Sequence, residues 1–158
     1  MRSVTPQHKP FDQALHDLYD KPAKDAVSRW LSIWDKCQVF PGDTYGVDLV
    51  AYRDGSLYAY IEVEQRSFNG RCRYDTIHVA KRKAKFFDKK HFTFLFAIDV
   101  DMQWGYFCEY ITILASPLRE VKNKYVAEKE YFYDVPTSAF VEFEINEVPY
   151  WYKEKSHG

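Results

Sequence analysis

Between Leu57 and Glu64, apolar Leu57, Ala59, Ile61 and Val63 alternate with Tyr58, Tyr60, Glu62 and Glu64. A period of two sends successive side chains to opposite faces of an extended strand, a pattern that no helix accommodates. Asp54-Gly55 precedes this run as turn chemistry, and Tyr45 to Arg53 supplies a partner strand. The chain must therefore build around a β-hairpin spanning residues 45–64.

Other segments surround that hairpin. Phe11, Leu15, Leu18 and Tyr19 recur at helical spacing, and after Pro22 the set Val27, Trp30, Leu31 and Trp34 does the same. Two consecutive helices are expected, with Pro22 in the first turn of the second and Pro41-Gly42-Asp43 closing the region. Following the hairpin come a loop at Asn69-Gly70, a short strand over Thr76 to Val79, and a Lys-rich helix from Ala80 to about Lys89 whose buried side is Phe86 and Phe87. Phe92 to Ile98 is nearly continuous apolar and reads as a central strand. Tyr106 to Leu114 alternates and reads as its neighbour, across a turn near Asp101 to Trp104. Lys122 to Glu130 has helical character, and Ala139 to Ile145 alternates like an edge strand. The order predicts an α/β fold, a central mixed sheet flanked by helices.

At 158 residues the chain makes one domain able to bury a core without disulfides. Cys37, Cys72 and Cys108 are odd in number, widely spaced and outside any metal-ligand pattern, as expected of reduced thiols in an intracellular protein. The first ten residues lack an apolar signal region, and no stretch approaches the roughly 18 apolar residues that span a bilayer, so a cytoplasmic protein without membrane contact is expected. Neither a P-loop nor a Gly-x-Gly-x-x-Gly, Ser/His/Asp or Cys/His nucleophile arrangement is present.

The chemistry is carried by Asp48, Glu62 and Glu64. Glu62 and Glu64 share a face, being two apart on one strand. Asp48 joins them only in one register. A two-residue Asp54-Gly55 turn pairs Asp48 with Ile61 and turns it away, whereas a three-residue Arg53-Asp54-Gly55 loop, or an equivalent local distortion, brings it to the glutamates' side. Periodicity does not choose between the two. Carboxylates on one small surface repel each other, and a divalent cation relieves that repulsion; Mg²⁺ or Mn²⁺ takes such hard oxygen ligands and completes its octahedron with water and phosphate. The bland alternative is a solvated strand face.

A basic stretch follows directly. Between residues 66 and 90, Arg66, Arg71, Arg73, Lys81, Arg82, Lys83, Lys85, Lys89 and Lys90 stand against Asp75 and Asp88, a local excess of seven positive charges in a chain whose formal net charge is −1. Such a patch beside carboxylates suits a surface that tracks phosphates, with Arg66, Arg71, Arg73, Arg82 and Lys85 as backbone contacts. A solvated helix face is the bland reading of residues 80–90. His78 is a candidate base or phosphate ligand, though a lone His at a strand end is more often structural. Tyr58 and Tyr60, placed on the glutamates' face, are candidates for stacking on unpaired bases.

Asp48, the hairpin, Glu62-Val-Glu64, a loop and a basic helix, all after an N-terminal helix, resemble the PD-(D/E)XK nuclease superfamily, which includes restriction endonucleases, Holliday-junction resolvases and phage exonucleases. The resemblance spans roughly residues 20–100. It implies a restriction endonuclease-like core over about 20–115, with extra C-terminal strands in an extension over about 116–158. Asp48 then corresponds to the motif aspartate and Glu62 to the motif (D/E), both metal ligands, while the motif lysine falls on Glu64. In some relatives a lysine of the following helix takes that lysine's place, and Lys81 and Lys83 are the candidates here. The catalytic set expected is Asp48, Glu62 and Glu64 with Lys81 or Lys83; the metal ligands are Asp48, Glu62 and Glu64. The implied activity is Mg²⁺- or Mn²⁺-dependent hydrolysis of DNA phosphodiesters by a phage or mobile-element protein, with a homodimer compatible. The alternative is an inactive nuclease-fold domain serving as a nucleic-acid-binding or assembly module, and a purely structural interaction domain is the third reading.

Overall fold

A computed structural model describes residues 13–42, 46–87, 91–122 and 130–152. The first element is α1 (Gln13–Trp34), a single helix that runs through Pro22. Two helices were expected here. An interior proline removes one backbone hydrogen bond and costs about 3 kcal/mol. Ala23, Val27, Trp30 and Leu31 are buried on the sheet, and packing of that face outweighs the local penalty.

The strands that follow are β1 (Gln38–Pro41), β2 (Leu49–Arg53), β3 (Ser56–Gln65), β4 (Thr76–Ala80), β5 (Phe92–Ile98), β6 (Trp104–Glu109), β7 (Leu118–Val121), β8 (Glu130–Pro136) and β9 (Val141–Glu144). Six form a mixed sheet in the order β1-β2-β3-β5-β6-β9, and β4-β8-β7 form a second sheet. Within the large sheet β3 and β5 run parallel, and the other neighbours are antiparallel. Parallel neighbours require a long crossover. Here it passes through β4 and a single 3-10 segment, Lys81–Phe86, in place of the expected Lys-rich helix. Phe87 packs against the core as anticipated, while Asp88, Lys89 and Lys90 lie outside the described residues, as do residues 123–129 of the expected helix at Lys122 to Glu130.

The molecule has three layers. On one side α1 covers the sheet: Trp30 meets Phe96, Phe107 and Phe143 with ring centroids 5.9, 5.6 and 4.4 Å away. Gly105 leaves room for Phe143, since an added Cβ would lie 2.3 Å from that ring. On the other side the small sheet and α2 (Tyr110–Leu114) bury Ile77, Val79 and Val135 against Leu95, Ala97 and Tyr106. The sheet is thus flanked unequally, by α1 on one face and by the small sheet with the short α2 on the other. α/β architecture with a mixed multistranded sheet stands.

The strand expected over Tyr106 to Leu114 ends at Glu109, where the chain turns into α2. Apolar residues at 110 and 113 serve a helix as well as a strand, and both Tyr110 and Ile113 are fully buried. The turn before β6 is organised by Asp99, buried, whose carboxylate accepts from the backbone N–H groups of Gly70, Gln103 and Trp104 at 3.0, 2.7 and 3.0 Å. Those bonds also fix the loop after β3 to the end of β5. No described helix is long and apolar enough to cross a membrane.

Candidate functional site

The hairpin resolves the register by a third route. Asp54 and Gly55 have φ of 50° and 79°, a two-residue turn with both residues left-handed. Arg53 faces Ser56 and Tyr52 faces Leu57, but the next pair is Ala51 with Ala59. Tyr58 is therefore an extra residue, a β-bulge, and the bulge reverses the facing that the turn alone would impose. Beyond it Leu49 faces Ile61, so the next step along β2 sets Asp48 beside Glu62. Their backbones interlock: the Asp48 N–H donates to Glu62 Oε2 at 3.0 Å, and the Val63 N–H donates to Asp48 Oδ2 at 2.8 Å. The bulge also takes Tyr58 from the glutamates' face, against expectation. It packs on the α1-side core, beneath the Arg53 guanidinium, whose carbon lies 4.0 Å from the ring centroid.

Glu62 and Glu64 look toward the small sheet, where the crossover delivers cations. Lys83 Nζ stands 3.7 Å from Glu62 Oε1 and 3.5 Å from Glu64 Oε2. Arg66 Nη2 binds Glu64 Oε1 at 2.7 Å and the His78 carbonyl at 2.5 Å. From the α1 side, Lys24 Nζ approaches Asp48 Oδ1 at 3.3 Å. Lys81, the other candidate, lies elsewhere, with its Nζ 5.5 Å from the Tyr131 ring centroid.

Glu62 is 2% exposed. Burial, and after it the charge of Asp48, pushes its pKa up to about 7; the Lys83 ammonium and the Asp48 N–H pull the other way, and Glu64 adds to the rise. The single lysine at long range does not offset burial and a neighbouring anion. Tyr110 lies near this centre, fully buried, with a hydroxyl that has no hydrogen-bond partner; burial raises its pKa, and Glu64 and Glu62 add to that.

The donors suit a hard divalent cation in a reduced form. Mg²⁺ is commonly held by one or two carboxylates plus water and phosphate. Asp48 and under-neutralised Glu62 offer that pair. Glu64 instead belongs to Arg66 and Lys83, and among the described residues no three His, Cys, Asp or Glu groups converge closely enough to hold a metal.

Among the described residues, several of the basic side chains turn to acidic partners. Arg71 pairs with Glu142 at 3.5 Å and lies over the Trp104 ring, Arg82 pairs with Glu130 at 3.4 Å, and Arg66 points to Glu64. Arg73 and Lys85 are exposed. His78 joins Asp134 at 2.8 Å on the small sheet, and Tyr60 meets His91 edge-on. Asp25 is an exposed partner of Lys21 on α1. Lys24 and Tyr110 had no sequence signal as site residues, since both sit in amphipathic stretches that read as ordinary helix or strand. The chain matches no protein-family model, no curated protein and no solved structure.

Proposed function

We propose that this protein is a metal-dependent nuclease of PD-(D/E)XK type that hydrolyses DNA phosphodiesters, with Asp48 and Glu62 as metal ligands and Lys83 in the role of the missing motif lysine. The observation that carries the reading is the position of Lys83. It comes from the crossover after β3, far in sequence from the hairpin, and lies against both glutamates at the carboxylate pair.

A Mg²⁺ or Mn²⁺ ion bound there would polarise the scissile phosphate and supply a more acidic water. The chain's own groups do the rest. Each carboxylate is held in place by the other strand's backbone N–H, so the ligand pair is rigid before any ion arrives. Lys83, 26% exposed at its side chain, presents a point charge at the edge of a buried centre, where charge developing on phosphate oxygens is stabilised more strongly than in water. Glu64 anchors Lys83 and Arg66 rather than serving as a third ligand.

The inert binding-module alternative draws support from a different observation. Lys24, Lys83 and Arg66 already stand beside the three carboxylates, so the centre resembles a closed ion network. One experiment separates the readings: incubation of supercoiled, linear and branched DNA with the protein in Mg²⁺ or Mn²⁺, alongside Glu62→Gln. Ion-dependent cleavage lost in the variant is the expected result. Cleavage that survives the substitution would remove the mechanism.

A further inference from the structure

Beside the carboxylate centre lies a cavity of about 350 Å³, lined by Arg66, Phe68, Tyr74 and His78 among others. Arg66 belongs to both places. Its Nη2 grips Glu64 and the His78 carbonyl, and its Nε is buried without a hydrogen-bond partner. The walls are held by the fold. Gly70 N–H is bound by Asp99, Cys72 N–H by the Tyr106 hydroxyl at 2.8 Å, and the Tyr74 carbonyl by the Thr137 hydroxyl at 2.7 Å. Phe68 packs edge-on against Tyr106, while Tyr74 is 70% exposed at the rim.

We infer that this cavity receives one unstacked base of a DNA strand whose neighbouring phosphate lies at the carboxylate centre, so that the substrate is unpaired or branched DNA rather than continuous duplex. The volume is in the range of small-molecule sites and is formed before binding. Aromatic rings give a base a stacking surface without sequence preference, and Arg66 brings a guanidinium charge to the cavity's lining. A base within duplex must first leave its stack, at a cost of a few kcal/mol that an unpaired strand does not meet. This inference takes its substrate class from the nuclease reading, yet it stands on the cavity next to Arg66 and not on turnover.

The test is binding without catalysis. In chelator, fluorescence anisotropy compares a single strand of about twelve deoxythymidines, the same backbone with abasic residues, and a duplex of equal length. The wild-type protein is expected to bind the single strand about tenfold more tightly than either the abasic strand or the duplex. Ser67→Trp, which fills the cavity from an exposed position, and Tyr74→Ala, at the exposed rim, should each lose most of that preference and keep duplex affinity within about twofold. Equal wild-type affinity for the three probes, or an undiminished preference in Tyr74→Ala, would overturn the inference. Because no metal is present, absence of cleavage leaves these results standing, and cleavage of plain duplex with no base preference would sink the cavity's role while keeping the nuclease.

Discussion

Two of the acidic centres of this protein, one around Asp134 and one around Glu62, solve the same electrostatic problem in opposite ways. On the small sheet, Asp134 accepts from Arg119 Nε and Nη2 at 2.8 and 3.1 Å and from His78 Nδ1 at 2.8 Å. The Arg119 fork beside it holds the Asp134 carboxyl below its ordinary range. On the large sheet, Glu62 is buried next to Asp48 and meets one ammonium at 3.7 Å. Its carboxyl is pushed up to about 7. The contrast teaches that an acid beside a cation is not by itself a paired acid: burial and a second anion leave Glu62 short of positive charge, and that shortfall is what a divalent ion would fill.

The largest expected effect breaks the buried centre. Glu62→Gln keeps shape and an acceptor for the Asp48 N–H but removes the charge, and DNA cleavage measured by gel assay should fall on the order of 10³-fold. Asp134→Asn should leave cleavage unchanged; an equal loss would mean that the two centres are not functionally distinct. Next comes the lysine. Lys83→Ala should reduce the rate by about 10²-fold, a loss of the size seen when one preorganised electrostatic group is removed, while Lys81→Ala stays close to wild type. The reverse pattern would return the role to Lys81.

A third effect is on stability. Glu62 has a folded pKa above its ordinary 4.5, so between about pH 4.5 and 7 the folded state binds more protons than the unfolded state. Stability from this group is therefore highest at low pH and declines as pH rises through that window. Urea denaturation in chelator should show wild type losing about 1–3 kcal/mol across it on this account, with the loss absent in Glu62→Gln. Saturating Mn²⁺ should offset much of the decline, because metal binding favours the deprotonated carboxylate. The smallest effect belongs to the exposed centre. Asp134 is lowered, so its contribution is present at neutral pH and fades as pH falls through the acid range; Asp134→Asn should barely move the urea midpoint at pH 7, as surface pairs rarely contribute much.

Some of this was legible beforehand. β5 matches the apolar run Phe92 to Ile98 residue for residue, because a strand covered on both faces has no polar side to show. The facing of Glu62 and Glu64 followed from their spacing alone. β1, β7 and β8 were missed: β1 and β7 are edge strands of four residues, and β8, central in the small sheet, shows no clean alternation and pairs with the distant β4. The side on which Asp48 falls was open to two registers, and the bulge at Tyr58 supplied the distortion that brings it to Glu62. Strand pairing decides that, not propensity, since the extra residue is stable only where both flanking ladders are satisfied.

By itself the sequence determined the α/β composition, the hairpin, the central strand and a pair of glutamates on one face, because each depends on residues near one another in the chain. Tertiary structure decided how deeply Glu62 is buried, that Asp48 stands beside it, that Lys83 rather than Lys81 reaches the pair, and that Arg66, Arg71 and Arg82 turn to acidic partners. The place of Asp48 depends on the bulge in the hairpin, and the others depend on a crossover and strand pairing that join distant segments. Burial and distance set the energy of a charge, and neither is written in local order.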